Sequence, residues 1–265
     1  MRFGGAAAGL FGTSFAEGAP MAQAGRSVAD WGALPNAGRD QSRQIQQAIL
    51  ELSAAGQPVI IPAGRFVCAA LTLPSNTAIL GIPGLTILSA SGGAAILNFQ
   101  NVQNIQLRGL SFAGAGISAI GCRNMSICDC EVLSSSGDGI VCSGSGLFIA
   151  GNRAASCSNA AIWVEGDGMA TTNLIRGPGR FGLRIGGAHR LGTLSVINNV
   201  ITGAQTGIAV SNSDAGYALI SMNMITGATQ GGIRALNGDD LTGKDLTKGG
   251  SEAFRNLAIA ANVSV

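Results

Sequence analysis

The feature that most restricts this chain is a repeat. From about residue 97 onward an arm of the form apolar-x-apolar-x-x-Asn-x-apolar recurs: Leu147-x-Ile149-x-x-Asn152-x-Ala154, Leu194-x-Val196-x-x-Asn199-x-Ile201, Ala218-x-Ile220-x-x-Asn223-x-Ile225 and Leu257-x-Ile259-x-x-Asn262-x-Ser264. Earlier copies place Leu110 and Cys130 at the Asn position, and Asn173 falls between. Positions 110, 130, 152, 173, 199 and 223 lie 20, 22, 21, 26 and 24 residues apart. A period of this size means one small unit repeated, and such a unit can bury its apolar face only against its neighbours.

A second apolar pair precedes each arm: Leu97-x-Phe99, Ile120-x-Cys122, Ile140-x-Cys142, Ile162-x-Val164, Leu183-x-Ile185, Ile208-x-Val210 and Ile233-x-Ala235. Both arms alternate with period two, the pattern of short strands buried on one face. Coils of two or three such strands, stacked about 4.8 Å apart, turn each inward position into a ladder of like residues. The expected fold is therefore all-β, a parallel β-helix. Asn suits the ladder because it tolerates left-handed bends and its amide bonds the next coil. Cys122 and Cys142 are expected to stack as thiols at one inward position. A leucine-rich repeat shares the L-x-L-x-x-N-x-L core, but it needs further leucines and often a helix after the Asn. Here "TGAQTGIAV" and "TGATQGGIR" return directly to a strand.

Ahead of the repeats, Asp40 is placed to cap a helix whose Ile45, Ala48, Ile49 and Leu52 share one face. After Gly56, "PVIIPAGRF" reads as a strand and turn. The helix would cover the open end of the stack, where bare strand edges invite aggregation. Asp30-Trp31-Gly32-Ala33, Asp40, Ile45-Gln46-x-Ala48-Ile49 and Val59-Ile60-Ile61-Pro62-x-Gly64-x-Phe66 resemble the N-terminal segment of pectate-lyase-superfamily right-handed β-helix proteins. That superfamily includes polygalacturonases, polysaccharide lyases and phage tailspikes. Over nearly its whole length the chain is also similar to a twin-arginine-translocated repetitive family of unknown function. The resemblance implies a single right-handed β-helix, with a cap at about 27–66 and coils at about 67–265. The chain ends just inside a coil, as a truncated copy would.

Residues 1–26 begin with one Arg, continue through a mildly apolar run and reach Ala22-Gln23-Ala24, a small-x-small cleavage pattern. They read as an export signal or a flexible tail. They look like the latter half of a twin-arginine signal without its second Arg, so a periplasmic or secreted location is expected. No run reaches the ~18 apolar residues of a membrane helix. A net charge of +2 lacks the strongly basic footprint of a nucleic-acid binder. The six cysteines have no zinc-like spacing and only one His to assist them.

Polygalacturonase-type members carry acids just before the Gly-Ile strand, where glycoside hydrolysis needs paired carboxylates. Coil by coil that slot holds Asp138, Asn159, Arg180, Gln205 and Gln230. Asp138 alone matches, so the hydrolase mechanism is not expected and Asp138 reads as a turn residue. The turn after that strand lengthens along the stack, from Glu165-Gly-Asp167, through 186–193 with His189 and Arg190, to 236–256 with Asp239 and Asp240. Outward positions beside it are Trp163, Arg184, Ala209 and Arg234, and a Trp beside an Arg makes a platform for a sugar ring and its carboxylate. Proton abstraction next to a uronate carboxylate needs a base, an acid and a neutralising cation. His189, Tyr217 and either Arg184 or Arg190 are the candidates for those roles. Trp163, Asp167, Arg190, Arg234 and Asp239 are the candidate substrate contacts. Asp239 and Asp240 are a weak candidate pair for Ca²⁺. Two functional classes follow: a carbohydrate-binding or carbohydrate-active protein, lyase-like at best, whose partner is a polysaccharide or envelope glycan, or a non-catalytic structural solenoid.

Overall fold

The computed structural model describes residues 25–92, 95–187, 192–211, 216–250 and 254–265. Strands Ile140–Ala150 and Ala160–Thr171 run parallel, with Ile140 opposite Ile162, Cys142 opposite Val164 and Ile149 opposite Ala170. This pairing continues coil after coil into a right-handed solenoid of about eight turns.

Each full coil has three faces. The first carries the Gly-Ile strand, seen alone in Phe181–Ile185 and Thr206–Ser211, and the second carries the Leu-x-Ile arm, seen alone in Gly192–Ile197 and Gly216–Ser221. In three coils, strands Gly116–Cys128, Ile140–Ala150 and Ala160–Thr171 bend across both faces without a break. After the Asn position a third strand follows, as in Arg153–Ala155 and Val200–Thr202, where a leucine-rich repeat would often place a helix. Inward residues form continuous ladders, for example Ile140, Ile162, Leu183, Ile208 and Ile233 on the first face. All of these are buried and belong to one core.

The Asn ladder forms as expected. The Oδ1 of Asn173, Asn199, Asn223 and Asn262 each accepts the backbone N–H and the Nδ2 of the ladder residue one coil earlier, at 2.9–3.0 Å. The left-handed bend, however, falls on the residue before the ladder position. Thr172, Asn198, Met222 and Ala261 have φ of 54°, 57°, 56° and 53°, and Gly151 has 67°. The ladder amide therefore braces a corner that its neighbour turns.

One coil departs from the expected register. Ile117 and Ala119, not Ile120 and Cys122, stand opposite Ile140 and Cys142. Ile120 is exposed, and Cys122 lies opposite Gly144 at the bend between faces. Cys122 and Cys142 are both buried and free, but they are two residues out of register. Burial pushes the Cys68, Cys130 and Cys157 thiols up to about 12 and raises Cys142 as well.

Helix α1 (Ser42–Ala54) buries Ile45, Ala48, Ile49 and Leu52 in the same core as Val59 and Ile79. Asp40 Oδ1 accepts the Ser42 amide at 2.9 Å, tying off a donor that has no partner within the helix.

Candidate functional site

The outward row Trp163, Arg184, Ala209 and Arg234 exists as the repeat implies, each residue directly opposite the next. It does not form an open sugar platform. The long turn after Gly231–Asn237 folds back as an antiparallel hairpin, with Leu236 opposite Leu241 and Asn237 opposite Asp240. Leu236 packs with Phe181, Ala160 and Ala209 in a cluster separate from the core, flanked by Trp163 and Leu241. Arg184 is 5% exposed beneath it. Its Nη2 meets Asp239 Oδ1 at 2.6 Å, and its guanidinium lies 4.1 Å from the centre of the Trp163 ring. Arg234 donates to the carbonyls of Gln230 and Gly243 at 2.7 and 2.8 Å. Arg184, Arg234 and Asp239 thus hold the hairpin down, with Arg184 buried beneath it and Asp239 exposed at its tip.

The other sequence candidates are dispersed. His189 and Arg190 lie outside the described residues. Tyr217 is exposed on the second face, opposite Thr193, while Arg184 is on the first face. Among the described residues no hydrogen bond or ion pair joins Tyr217 to Arg184. Asp138 Oδ1 accepts the Asn159 side-chain amide and the Ala160 N–H at 2.8 and 2.9 Å, a turn-holding role. Asp239 is engaged with Arg184, and no third metal-ligating side chain gathers with Asp239 and Asp240 among the described residues. In the same turn, burial pushes the Asp245 carboxyl up. The amides of Gly232, Ile233 and Thr247 and the Thr247 hydroxyl outweigh it, so its pKa falls below the ordinary 3.8.

What the structure does bring together is a groove of about 450 Å³ at the bend between the first and second faces. Arg123, Ser143, Ser145, Glu165 and Asp167 line it over a floor that includes Gly144 and Gly166. The floor is glycine for a steric reason. A Cβ on Gly144 would stand 1.8 Å from the Cys122 carbonyl oxygen, and one on Gly166 would stand 1.9 Å from that of Gly144. Asp167 Oδ1 accepts the Thr193 amide at 2.8 Å, which fixes that carboxylate at the groove edge. Glu165 reaches over the backbone of Gly187, where any Cβ would fall 2.3 Å from its Oε2. Residues bearing two carboxylates, a guanidinium and two hydroxyls line backbone stripped of side chains, and the Ser143 hydroxyl accepts the Gly121 amide at 2.9 Å. That arrangement offers acceptors and donors to a hydroxyl-rich ligand lying flat. Of these residues the repeat pointed only to Asp167 as a substrate contact. The signal for the rest was the Ser-Gly-Ser of 143–145 stacked against Glu-Gly-Asp of 165–167, legible once the coil register is known.

A family model described as right-handed beta helix region matches residues 92–242, more than half of the chain. No curated protein matches the sequence. Among solved structures, the catalytic unit of an alpha-1,3-glucanase from Streptomyces thermodiastaticus is 17% identical, with a TM-score of 0.65 over 81% of this chain and 43% of that one. An exopolygalacturonase from Thermotoga maritima is 13% identical, with a TM-score of 0.57 over 84% of this chain and 78% of its own. The enzymatically active domain of a bacteriophage CBA120 tailspike is 12% identical, with a TM-score of 0.57 over 91% of this chain and 43% of its own. The chain therefore spans less than half the length of the glucanase unit and of the tailspike domain, and at these identities the likeness is one of fold. Stacked parallel coils, their Asn ladder and the family match over most of the coils lead to one conclusion: the chain belongs to the right-handed β-helix family.

Proposed function

We propose that this protein is an exported, carbohydrate-active or carbohydrate-binding β-helix protein of the cell envelope that seats a polysaccharide in the groove between its first and second faces. The observation that carries the reading is that Arg123, Ser143, Ser145, Glu165 and Asp167 line one glycine-floored groove. The neighbours support the substrate class, since a glucanase and a polygalacturonase are among them. Glu165 and Asp167 also bring two carboxylates to one groove, the minimum that acid–base glycoside chemistry requires. Export by the twin-arginine route is part of the proposal.

The test is a glycan array probed with the full 265-residue chain, followed by titration of each hit against Glu165→Gln and Arg123→Ala. At least a ten-fold loss of affinity in both variants is expected. Hits that bind the variants as tightly as wild type would move the site elsewhere. An array with no hits would favour a non-catalytic structural solenoid, the reading supported by the covered Trp163–Arg184 row. Release of reducing ends from the bound glycan, lost in Glu165→Gln, would mark an enzyme.

A further inference from the structure

The hairpin over the first face closes a charged site that coil stacking does not require. Arg184 lies there with only 6% of its side chain exposed, whereas its ionic partner Asp239 is 72% exposed. Arg184 Nε is buried and has no hydrogen-bond partner among the described residues. Arg180 approaches from just before the same strand, its guanidinium 4.6 Å from the centre of the Phe181 ring and its Nη2 donating to the Asp239 carbonyl. A buried guanidinium with an unused donor attracts a carboxylate strongly, because a forked pair satisfies two N–H groups at once. Asp239, 72% exposed on the hairpin tip, keeps its carboxylate within reach of solvent and of any competing anion. The base of the hairpin is fastened separately. Arg234 donates to the Gly243 carbonyl, and the Asp245 carboxylate accepts the Gly232 and Ile233 amides at 2.9 and 3.2 Å.

We propose that Arg184, Arg180 and Trp163 form a carboxylate-binding site that Asp239 fills from within the chain, so that the 236–243 tip is a displaceable strap. The incoming ligand is a carboxylate, either a free small anion or the acid group of a sugar acid. It replaces Asp239 Oδ1 on Arg184 Nη2 and takes up the unused Nε. Arg180 is released from the strap carbonyl in the same movement. The site is distinct from the groove at 121–167, and the inference does not rest on a glycan binding there.

Only two tryptophans are present, so Trp31→Phe leaves Trp163 as a single fluorescent reporter 4.1 Å from the Arg184 guanidinium. In that background, titration with sodium glucuronate and, in parallel, sodium acetate is compared between the parent and Asp239→Asn. If Asp239 occupies the guanidinium about nine-tenths of the time, its removal tightens apparent binding about ten-fold. A saturable fluorescence change, tightened in Asp239→Asn and lost when Arg184→Met is added, is the expected result. Response to both anions assigns the site to free carboxylates, and response to glucuronate alone assigns it to sugar acids. Two outcomes overturn the proposal: an Asp239→Asn protein with native melting behaviour that responds to neither anion, or a response that survives Arg184→Met. Arg184→Met keeps an unbranched apolar stem at this buried position and removes the charge that would need a partner, so folding is retained.

Discussion

Asn173 and Asn199 stand one coil apart, and the Oδ1 of Asn199 accepts both the backbone N–H and the Nδ2 of Asn173, at 3.0 and 2.9 Å. Asn199 in turn donates its Nδ2 to Asn223 Oδ1 and to the carbonyls of Ala170 and Ile197. Asn173, Asn199 and Asn223 are at most 1% exposed, so no water replaces a lost partner. Asn199→Leu therefore strands two donors and several acceptors, at about 1–3 kcal/mol for each group left wholly unsatisfied. Urea unfolding should show a loss of about 3–4 kcal/mol. Asn262→Leu, at the half-buried end of the ladder, should lose about half as much.

Glycine positions divide sharply. Gly144 has a φ of 138°, and a Cβ there would overlap the Cys122 carbonyl, so Gly144→Ala must shift two coils and should cost about 3 kcal/mol. Gly137 has open space around its missing Cβ. There Ala lowers the entropy of the unfolded chain and should be neutral or stabilising by about 0.5 kcal/mol. Paired thermal melts of the two variants check the contrast.

The buried thiols give stability an alkaline limit. Cys68, Cys130 and Cys157 hold their protons up to about 12 in the folded state, against a reference of 9.0. Between those values the unfolded chain binds fewer protons than the native one, so stability falls as pH rises. The slope is roughly 1.4 kcal/mol per pH unit for each thiol ionised only on unfolding. Denaturation midpoints should be flat in this term below pH 9.0 and fall steadily from there toward 12. Replacing Cys130 with Ala should remove one thiol's share of the slope.

The ladder residues from Asn152 to Asn262 were legible because the same short motif surrounds each of them, whatever the length of the turns between, and every coil repeats the same demand. The slip at Ile117 was not, because Ile120-x-Cys122 offers a stronger apolar pair than Ile117-x-Ala119. The left-handed Gly121, with a φ of 66°, turns the chain and leaves Ile120 outside. That slip also hid the groove, since Arg123 meets Ser145 only in the observed register. The strap was hidden for a different reason. Arg184 and Asp239 lie in different coils, and nothing periodic in the sequence announces that a hairpin tip folds back across the row it follows.

Gly187 separates the groove's function from the fold. All three nearest atoms to a Cβ at this position belong to the Glu165 carboxylate, at 2.3–2.6 Å, and no backbone atom is among them. A methyl group can therefore be accommodated by swinging the end of a flexible side chain, a change that leaves the coils in place. Gly187→Ala should alter the unfolding midpoint by less than about 0.5 kcal/mol, in the range of ordinary surface substitutions. Glu165, a groove-lining residue displaced from its position over Gly187, would present its carboxylate to a bound glycan in the wrong place, and affinity should fall about ten-fold. Isothermal titration with a glycan identified on the array, run beside the melt, measures both effects. Unchanged affinity with a displaced Glu165 would remove that carboxylate from the site.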